Sequence, residues 1–139
     1  MKTVLNIACA VALLCGCATV PTETKSSYLV TDYAGATIWL DGHTATAFIV
    51  LLAQAAAPDV MYLEAVFPDP SRSGGQDIIR KEFKKADGKL RIEGSKVSGW
   101  ESGTTYTYVV RVYADSGYKT LLSTHEQRSL YFEPPGLAR

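Results

Sequence analysis

The residues with the most obvious chemical potential are the two histidines of the chain, His43 and His125. Each has a carboxylate close by in sequence, Asp41 for His43 and Glu126 for His125, and Ser123-Thr124 precedes His125. A histidine beside a hydroxyl is the pairing that activates a nucleophile in hydrolases. Neighbouring residues of one strand point to opposite faces, however, so these groups would not all meet. A hydrolase that uses His43 or His125 is therefore an alternative function and not the expected one.

Metal and cofactor chemistry lacks its usual ligands. A zinc site needs three or four converging side chains at particular spacings, and neither histidine lies in such a group. We therefore expect no metal and no cofactor. The sequence also lacks a nucleophile elbow, a metalloprotease helix and a phosphate-binding loop. Acidic residues that could serve glycoside hydrolysis are scattered along the chain, as is typical of a protein surface: Glu64, Asp69 and Glu101. The pattern favours a protein that is not an enzyme.

The cysteines form the third group of reactive side chains, and all three lie near the amino terminus: Cys9, Cys15 and Cys17. They belong to a stretch with an early basic residue, Lys2, and a mostly apolar run from Val4 to Leu14. This run is much shorter than the roughly 20 residues of a membrane-spanning helix. It is typical of the apolar part of a secretory signal.

The sequence Leu14-Cys15-Gly16-Cys17 resembles the end of a bacterial lipoprotein signal, with Cys15 as a departure at the middle position. In that family, the cysteine that matches Cys17 is acylated and the signal is removed before it. The resemblance implies that residues 1–16 are a signal peptide and that lipid on Cys17 attaches the chain to a membrane. A transmembrane span and an ordinary cleaved signal peptide are the alternatives.

The residues after Cys17 are polar and lack hydrophobic periodicity. We expect residues 17–27 to form a lipidated tether and residues 28–139 to form one domain. Ten extended residues reach at most about 33–36 Å, which keeps the domain close to the membrane. Gram-negative lipoproteins with a non-acidic residue after the acylated cysteine are usually sent to the outer membrane, and Ala18 fits that pattern. The expected location is the bacterial cell envelope, at the outer membrane and facing the periplasm.

Composition limits the source of stability and the class of partner. No cysteine follows Cys17, so in an oxidising compartment the hydrophobic core must stabilise the domain without disulfide bonds. The domain is long enough for one such core. The chain has 14 basic and 14 acidic residues, unlike the clearly basic composition of nucleic-acid-binding domains. We therefore expect no nucleic-acid partner.

A basic run between residues 80 and 96 is the most prominent surface feature. One interpretation is a solvated hairpin whose lysines protect the edges of a sheet. The other is contact with an anionic partner, such as lipid head groups or envelope glycans, which salt would weaken over a Debye length of about 8 Å. The basic residues are Arg80, Lys81, Lys84, Lys85, Lys89, Arg91 and Lys96.

From residue 28 onward, short apolar runs alternate with turn residues, which predicts an all-β sandwich. Residues 51–57 contain good helix formers, so a helical turn is an alternative there. The predicted strands are Tyr28–Tyr33, Ala36–Leu40, Thr46–Leu52, Val60–Phe67, Ile78–Lys85, Lys89–Glu93, Tyr106–Ala114, Thr120–His125 and Ser129–Phe132.

A first hairpin is predicted around Asp87-Gly88. These two residues suit a type I′ turn, which would pair Phe83 with Ile92 on an apolar face and Lys84 with Arg91 on a solvated one.

A second hairpin follows Val112, and its register stays open between two alternatives. A two-residue loop at Ser116-Gly117 places Val112 opposite Leu121 and turns His125 towards the core. A three-residue loop places Val112 opposite Leu122 and turns His125 outward, because a slip of one residue reverses every side chain.

The segment between Trp100 and Ala114 resembles the E–F corner and F strand of fibronectin type III domains. Ser102 stands where proline is common, and the tryptophan of the second strand has no clear counterpart, since Trp39 precedes the best candidate strand. The resemblance covers about 15 residues and implies an Ig-like antiparallel β-sandwich, with Tyr106 as a corner tyrosine whose hydroxyl bonds to the chain upstream. The matching residues are Trp100, Gly103, Thr104, Tyr106, Val110 and Val112.

These observations predict a lipid-anchored envelope protein that acts as a non-catalytic interaction or accessory module, with another envelope protein as its partner. A binder or carrier of a small or glycan ligand is an alternative, because aromatic residues are plentiful. The aromatic residues proposed for an exposed patch are Tyr33, Trp39, Tyr113 and Tyr118.

Overall fold

A computed structural model describes residues 23–24 and 26–133, and in it the chain forms two antiparallel β-sheets packed face to face. The predictions for residues 1–16 and for Cys17 lie outside the described residues. Within them, no helix has the length and hydropathy of a membrane span. The strands are β1 (Glu23–Thr24), β2 (Leu29–Ile38), β3 (Ala45–Ala53), β4 (Val60–Asp69), β5 (Gly75–Lys84), β6 (Lys89–Val97), β7 (Thr105–Tyr113) and β8 (Leu121–Leu130).

The strand order is that of an Ig-like sandwich. One sheet has three strands in the order β2-β3-β6, and the other has five in the order β1-β8-β7-β4-β5. Strands β2, β3 and β6 occupy the positions named A, B and E in immunoglobulin domains, while β4, β5, β7 and β8 occupy C, C′, F and G. The predicted all-β, Ig-like sandwich is confirmed.

Alternating side chains of the central strands build the core. In β3, Ile49 and Leu51 point inward and are fully buried, and in β4, Met61 and Leu63 do the same from the opposite sheet. Full burial of one such side chain stabilises the fold by about 1.5–3 kcal/mol. The alternation of apolar residues therefore produces a continuous core between the sheets, which includes Trp100 at one end.

Two pairs of predicted strands are single strands in the structure. The sequence predicts a break at Ala34-Gly35, but β2 continues through these residues, because both stay paired with Ile49 and Phe48 of β3. Strand β8 likewise continues through the polar residues 126–128. Strand β3 runs on to Ala53, so the helical alternative for residues 51–57 is wrong.

The predicted pairing of Phe83 with Ile92 is wrong. Phe83 pairs with Met61 in the five-stranded sheet, and Ile92 pairs with Ile49 in the three-stranded sheet. A 3-10 turn at Lys85–Asp87, followed by Gly88 at φ 76°, carries the chain from one sheet to the other. Two strands that face each other across a core have the same alternation as two strands of a hairpin, so the pattern alone does not separate them.

The hairpin between β7 and β8 follows neither predicted loop. Val112 lies opposite Ser123, and a bulge separates this pair from the next one. Ala114 donates its N–H to Thr120 O at 2.9 Å, so the loop spans residues 115–119. His125 lies opposite Val110 and points into the core, as the first alternative expected for its side chain.

Residues before Tyr28 take part in the sandwich. Strand β1, which falls in the predicted tether, pairs with β8 through Glu23 opposite Gln127 and Thr24 opposite Glu126. Ser26 is buried, and its hydroxyl accepts the N–H of Tyr28 at 3.0 Å.

Candidate functional site

The seam between the two sheets, where β2 of one sheet faces β8 of the other, is closed along part of its length. Near the start of β2, the hydroxyls of Ser26 and Ser123 lie 2.9 Å apart and share a hydrogen bond. Further along, Thr31 Oγ1 and His125 Nε2 are 2.7 Å apart. Polar contacts thus join the two sheets on this half of the seam.

The other half of the seam opens into a pocket of about 200 Å³, here called the seam pocket. This volume lies below the roughly 300–1,000 Å³ of drug-sized sites, so the pocket suits one ring or one side chain. Its lining is mainly aromatic and includes Ile38, Trp100, Tyr106, Tyr108, Tyr131 and Phe132.

A packed cluster of three rings forms one wall of the seam pocket. Trp100 stacks on Tyr131 with ring centroids 5.6 Å apart and meets Tyr106 edge-on at 4.5 Å. The Tyr106 hydroxyl accepts the N–H of Glu101 at 3.0 Å, which is the geometry that the fibronectin type III resemblance implies. The Tyr131 hydroxyl donates to Gly42 O at 2.8 Å. The wall is therefore held rigidly by hydrogen bonds to two loops.

Two buried polar groups belong to the same pocket. Burial raises the pKa of Tyr108 to about 12, so its hydroxyl stays protonated and donates to Gly35 O at 2.8 Å. Trp100 Nε1 is buried and has no hydrogen-bond partner among the described residues, a situation that costs about 1–3 kcal/mol. The pocket therefore offers a mainly apolar lining and few polar groups for orientation.

The structure places the two histidines on different elements. His125 is fully buried against Thr31, so its hydroxyl–imidazole contact has the form of a nucleophile and base but no surface from which a substrate could approach. His43 is exposed in the loop between β2 and β3, with its Nδ1 3.2 Å from Trp100 O. The two side chains do not form one site.

The loop that carries His43 is organised by Asp41. Its carboxylate accepts the Thr44 hydroxyl at 2.6 Å and the N–H groups of His43 and Thr44 at 2.8 Å each. The bond from the Thr44 hydroxyl, followed by the two backbone bonds, lowers the pKa of Asp41 to about 2.

The three acidic residues that could have served glycoside hydrolysis do not converge. Glu64 lies on the outer face of the five-stranded sheet, where it forms ion pairs with Arg80 at 2.9 Å and Arg111 at 3.0 Å. Asp69 ends β4, and a bond from the Ser71 hydroxyl is the main cause of its lowered pKa. Across residues 26–133, no group of three His, Cys, Asp or Glu side chains is arranged to hold a metal ion.

The basic run is divided between the two sheets. Arg80 and Lys84 lie on the outer face of the five-stranded sheet, opposite Glu64 and Val60, and Lys81 lies opposite Leu63 on the other side of the same strand. Lys85, in the turn, donates to Ala55 O at 2.6 Å. The residues of β6 belong to the other sheet: Lys89, Arg91 and Lys96. The seven residues therefore do not form one continuous patch.

The cations of β6 lie among aromatic rings on the three-stranded sheet. The Arg91 guanidinium lies 4.1 Å from the ring centre of Phe48, and Lys96 Nζ lies 4.6 Å from that of Trp39. Tyr33 meets Phe48 edge-on at 5.8 Å. We call these five residues the aromatic–basic face. Phe48 was not predicted from the sequence to belong to this surface. The alternation in β3 does place its side chain on the outer face, away from the core residues Ala47 and Ile49.

The other two aromatic residues proposed for an exposed patch lie elsewhere. Tyr113 and Tyr118 meet with ring centroids 5.5 Å apart, and the Arg80 guanidinium lies 4.7 Å from the Tyr118 ring. Both are on the side of the five-stranded sheet, since Tyr113 lies opposite Tyr62. The four aromatic residues thus form two separate groups.

Comparisons with known proteins add no family. No protein-family model matches the chain, and no curated protein is significantly similar to it. The function must therefore be argued from the seam pocket, the aromatic–basic face and the amino-terminal sequence.

Proposed function

We propose that this protein is a lipid-anchored accessory module of a bacterial cell envelope, which contacts another envelope protein and catalyses no reaction. Its attachment rests on the amino-terminal sequence that ends at Cys17. Its domain contributes a rigid surface for the partner.

The observation that carries the proposal is the aromatic–basic face. Aromatic residues and arginine are enriched in protein interfaces, because aromatic rings bury large areas at a low entropy cost and the guanidinium group forms several directed hydrogen bonds. Here the cations are already ordered, since Arg91 lies over Phe48 and also pairs with Glu93 at 2.7 Å. Tyr33 is 51 % exposed beside them. A partner with carboxylate or phosphate groups fits this surface best.

The attachment is tested on the mature protein. Mass spectrometry of its amino-terminal peptide is expected to show Cys17 as the first residue, with acyl chains, and labelled palmitate is expected to enter the chain. Cys17→Ser should remove the label and release the protein from membranes. An unmodified terminus at another residue would reduce the proposal to a secreted protein.

The partner surface is tested by photo-crosslinking in cells. A photoreactive amino acid in place of Tyr33 is expected to yield one reproducible adduct with an envelope protein, and Arg91→Glu should abolish it. Ile78 is 50 % exposed on the five-stranded sheet and serves as the matched control position. Adducts of equal intensity from both positions, or from neither, would contradict the proposed interface.

A second candidate function, binding of a small or glycan ligand, is favoured by the seam pocket. The exposed Phe132 ring can stack on the apolar face of a ring-shaped ligand, next to the buried rings of Trp100 and Tyr131. The buried indole of Trp100 also supplies a fluorescent reporter.

This second function predicts a saturable change in Trp100 emission when envelope-derived saccharides are added to the Trp39→Phe variant. Phe132 is 64 % exposed at the pocket, so Phe132→Ala should weaken binding without unfolding the protein. Unchanged emission at millimolar saccharide would remove this candidate.

A further inference from the structure

Half of the large hydrophobic side chains that are exposed in the described part of the chain lie at one end of the sandwich. Trp39 is 37 % exposed and Leu40 is 85 % exposed, both just after β2. Leu130 ends β8 and Phe132 follows it, with 46 % and 64 % exposure. We call these four residues the apolar end. A concentration of this kind on a small protein marks a contact surface.

The direction of β1 relates the apolar end to the membrane anchor. Because β1 runs antiparallel to β8, with Thr24 opposite Glu126 and Glu23 opposite Gln127, the chain leads from Glu23 towards its amino terminus in the direction of Leu130. The segment before Glu23 therefore leaves β1 on the side of the apolar end and not on the side of the β7–β8 loop.

The reach of that segment is short. Six residue steps separate Cys17 from Glu23, which span at most roughly 20–22 Å. Along β8, the five steps from Gln127 to Phe132 cover roughly 17 Å. A lipid on Cys17 can therefore reach at most a few ångströms beyond the apolar end, which limits how far this end can turn away from the membrane.

Most of the backbone polar groups between Trp39 and Thr44 are already hydrogen-bonded within the protein. Trp39 N donates to Thr44 O at 2.8 Å, and Gly42 N donates to Trp39 O at 2.9 Å. The Asp41 carboxylate accepts two further N–H groups of the loop. Backbone groups that are already paired avoid the main cost of leaving water. The loop thus presents Leu40 outward on a preformed turn.

We propose that the apolar end is a membrane-contact surface, whose side chains enter the head-group region of the bilayer in which the Cys17 lipid is anchored. This inference rests on the proposed lipid attachment. Tryptophan is favoured at this depth, and a lysine beside it can extend its ammonium into water; Trp39 and Lys96 have this arrangement. The contact fixes the orientation of the sandwich: its long axis rises from the membrane, Trp39 and Lys96 lie at the membrane surface, and the other three residues of the aromatic–basic face point sideways.

The test uses the lipidated protein in phosphatidylcholine vesicles whose acyl chains are brominated near the head group. The chain has two tryptophans; Trp39 lies at the apolar end, and Trp100 is 1 % exposed in the core. Bromine is expected to quench Trp39 emission, and Trp39→Phe should remove the quenched component. The double variant Leu40→Ser with Phe132→Ser should lose most of the quenching. Leu121→Ser, at the opposite end and 51 % exposed, is the matched control and should leave it unchanged.

Flotation of the same vesicles tests the lipid anchor on Cys17 separately from the membrane contact of the apolar end. Protein that floats with the vesicles but shows no quenching of Trp39 would overturn the membrane-contact surface and leave the lipid anchor standing. Protein that does not float would overturn both. In the unlipidated Cys17→Ser form, residual vesicle binding is expected to fall by about tenfold on Leu40→Ser, because burial of one leucine has roughly that effect or more.

Discussion

At the scale of single residues, Asp41 shows how one side chain can organise a functional loop. Its carboxylate fixes the turn that presents Leu40 and joins it to the start of β3 through Thr44. An amide has one acceptor oxygen, so it can keep the two backbone bonds at Oδ1 in weaker form but cannot also accept the Thr44 hydroxyl that bonds to Oδ2. The loop should therefore depend on the charge of Asp41.

Asp41→Asn is expected to lower the melting temperature near neutral pH. Because hydrogen bonds depress the folded-state pKa to about 2 from 3.8, the stabilisation by the charge is complete above the unfolded pKa and is lost as the pH falls through about 2. The difference between the variant and the wild type should therefore shrink between pH 4 and pH 2 in thermal melts. Asp59→Asn, in a loop at the other end, is the control. A difference that stays constant over this range would contradict the assignment.

Glu64 is a carboxylate that forms ion pairs with two arginines, one on each neighbouring strand. Its side chain is 10 % exposed and lies between Arg80 and Arg111. Glu64→Gln is expected to reduce the free energy of unfolding by about 1–2 kcal/mol, since the three charge-assisted hydrogen bonds from Arg80 and Arg111 are weakened or lost at a buried carboxylate. The matched control is Glu93→Gln, because the Arg91–Glu93 pair is exposed on both sides and should contribute less than about 1 kcal/mol. Equal losses in urea unfolding would count against a special role for Glu64.

At the scale of elements, the close approach of β5 and β6 depends on Gly94, which has no side chain. Asp77 of β5 reaches across to the backbone N–H of Ser95 in β6. A Cβ on Gly94 would lie 2.7 Å from Asp77 Oδ2 and 3.0 Å from a ring carbon of Phe67. A side chain at this position would therefore have to displace the Asp77 carboxylate or the Phe67 ring.

Gly94→Ala is expected to reduce the free energy of unfolding by about 1–3 kcal/mol, the usual cost of overpacking. Gly35→Ala is the control, because its Cβ would lie at 3.4 Å from Phe48 Cζ, close to ordinary contact, and alanine is less flexible than glycine in the unfolded chain. Both variants are compared by urea unfolding. Equal stabilities would show that β6 can move away from β5 at little cost.

The alternation of apolar residues located all seven long strands, because a half-buried strand must show a period of two, but it divided β2 and β8 into two strands each. The sequence pattern did not predict which of the two sheets each strand joins. Phe83 and Ile92 point into one core from two sheets, and no local pattern distinguishes that arrangement from a hairpin. The bulge beside Val112 was equally hidden, since it depends on how the two strands meet and not on either one alone.

The same limit applies to the sites. Trp100 and Tyr106 were reached through a local motif, because their contacts lie within a few residues of sequence. The seam pocket was not predicted from the sequence, since Ile38 and Phe132 come together only when β2 and β8 lie in different sheets. The aromatic–basic face likewise needs β6 to lie beside β3.

At the scale of the whole molecule, stability depends on contacts between distant parts of the chain. Ile49 of β3 pairs with Ile92 of β6, and Leu63 of β4 pairs with Val112 of β7. The contact between Thr31 and His125 spans 94 residues. Residues 26–133 contain no cysteine, so no covalent bond shortens these distances during folding.

We therefore expect the unlipidated Cys17→Ser protein to refold in milliseconds to seconds, as proteins dominated by non-local strand pairing do. Its refolding rate should be the same with and without a reductant, because no disulfide takes part. Stopped-flow fluorescence of Trp100 in the Trp39→Phe background measures the refolding rate under both conditions, since this side chain becomes buried only when the sheets meet.

Ile92→Val, which shortens one core side chain of β6, should reduce the free energy of unfolding by about 0.5–1.5 kcal/mol. If this loss appears in the refolding rate, pairing of β3 with β6 precedes the barrier; if it appears only in the unfolding rate, that pairing follows it. Refolding within microseconds would contradict the expected dependence on distant contacts.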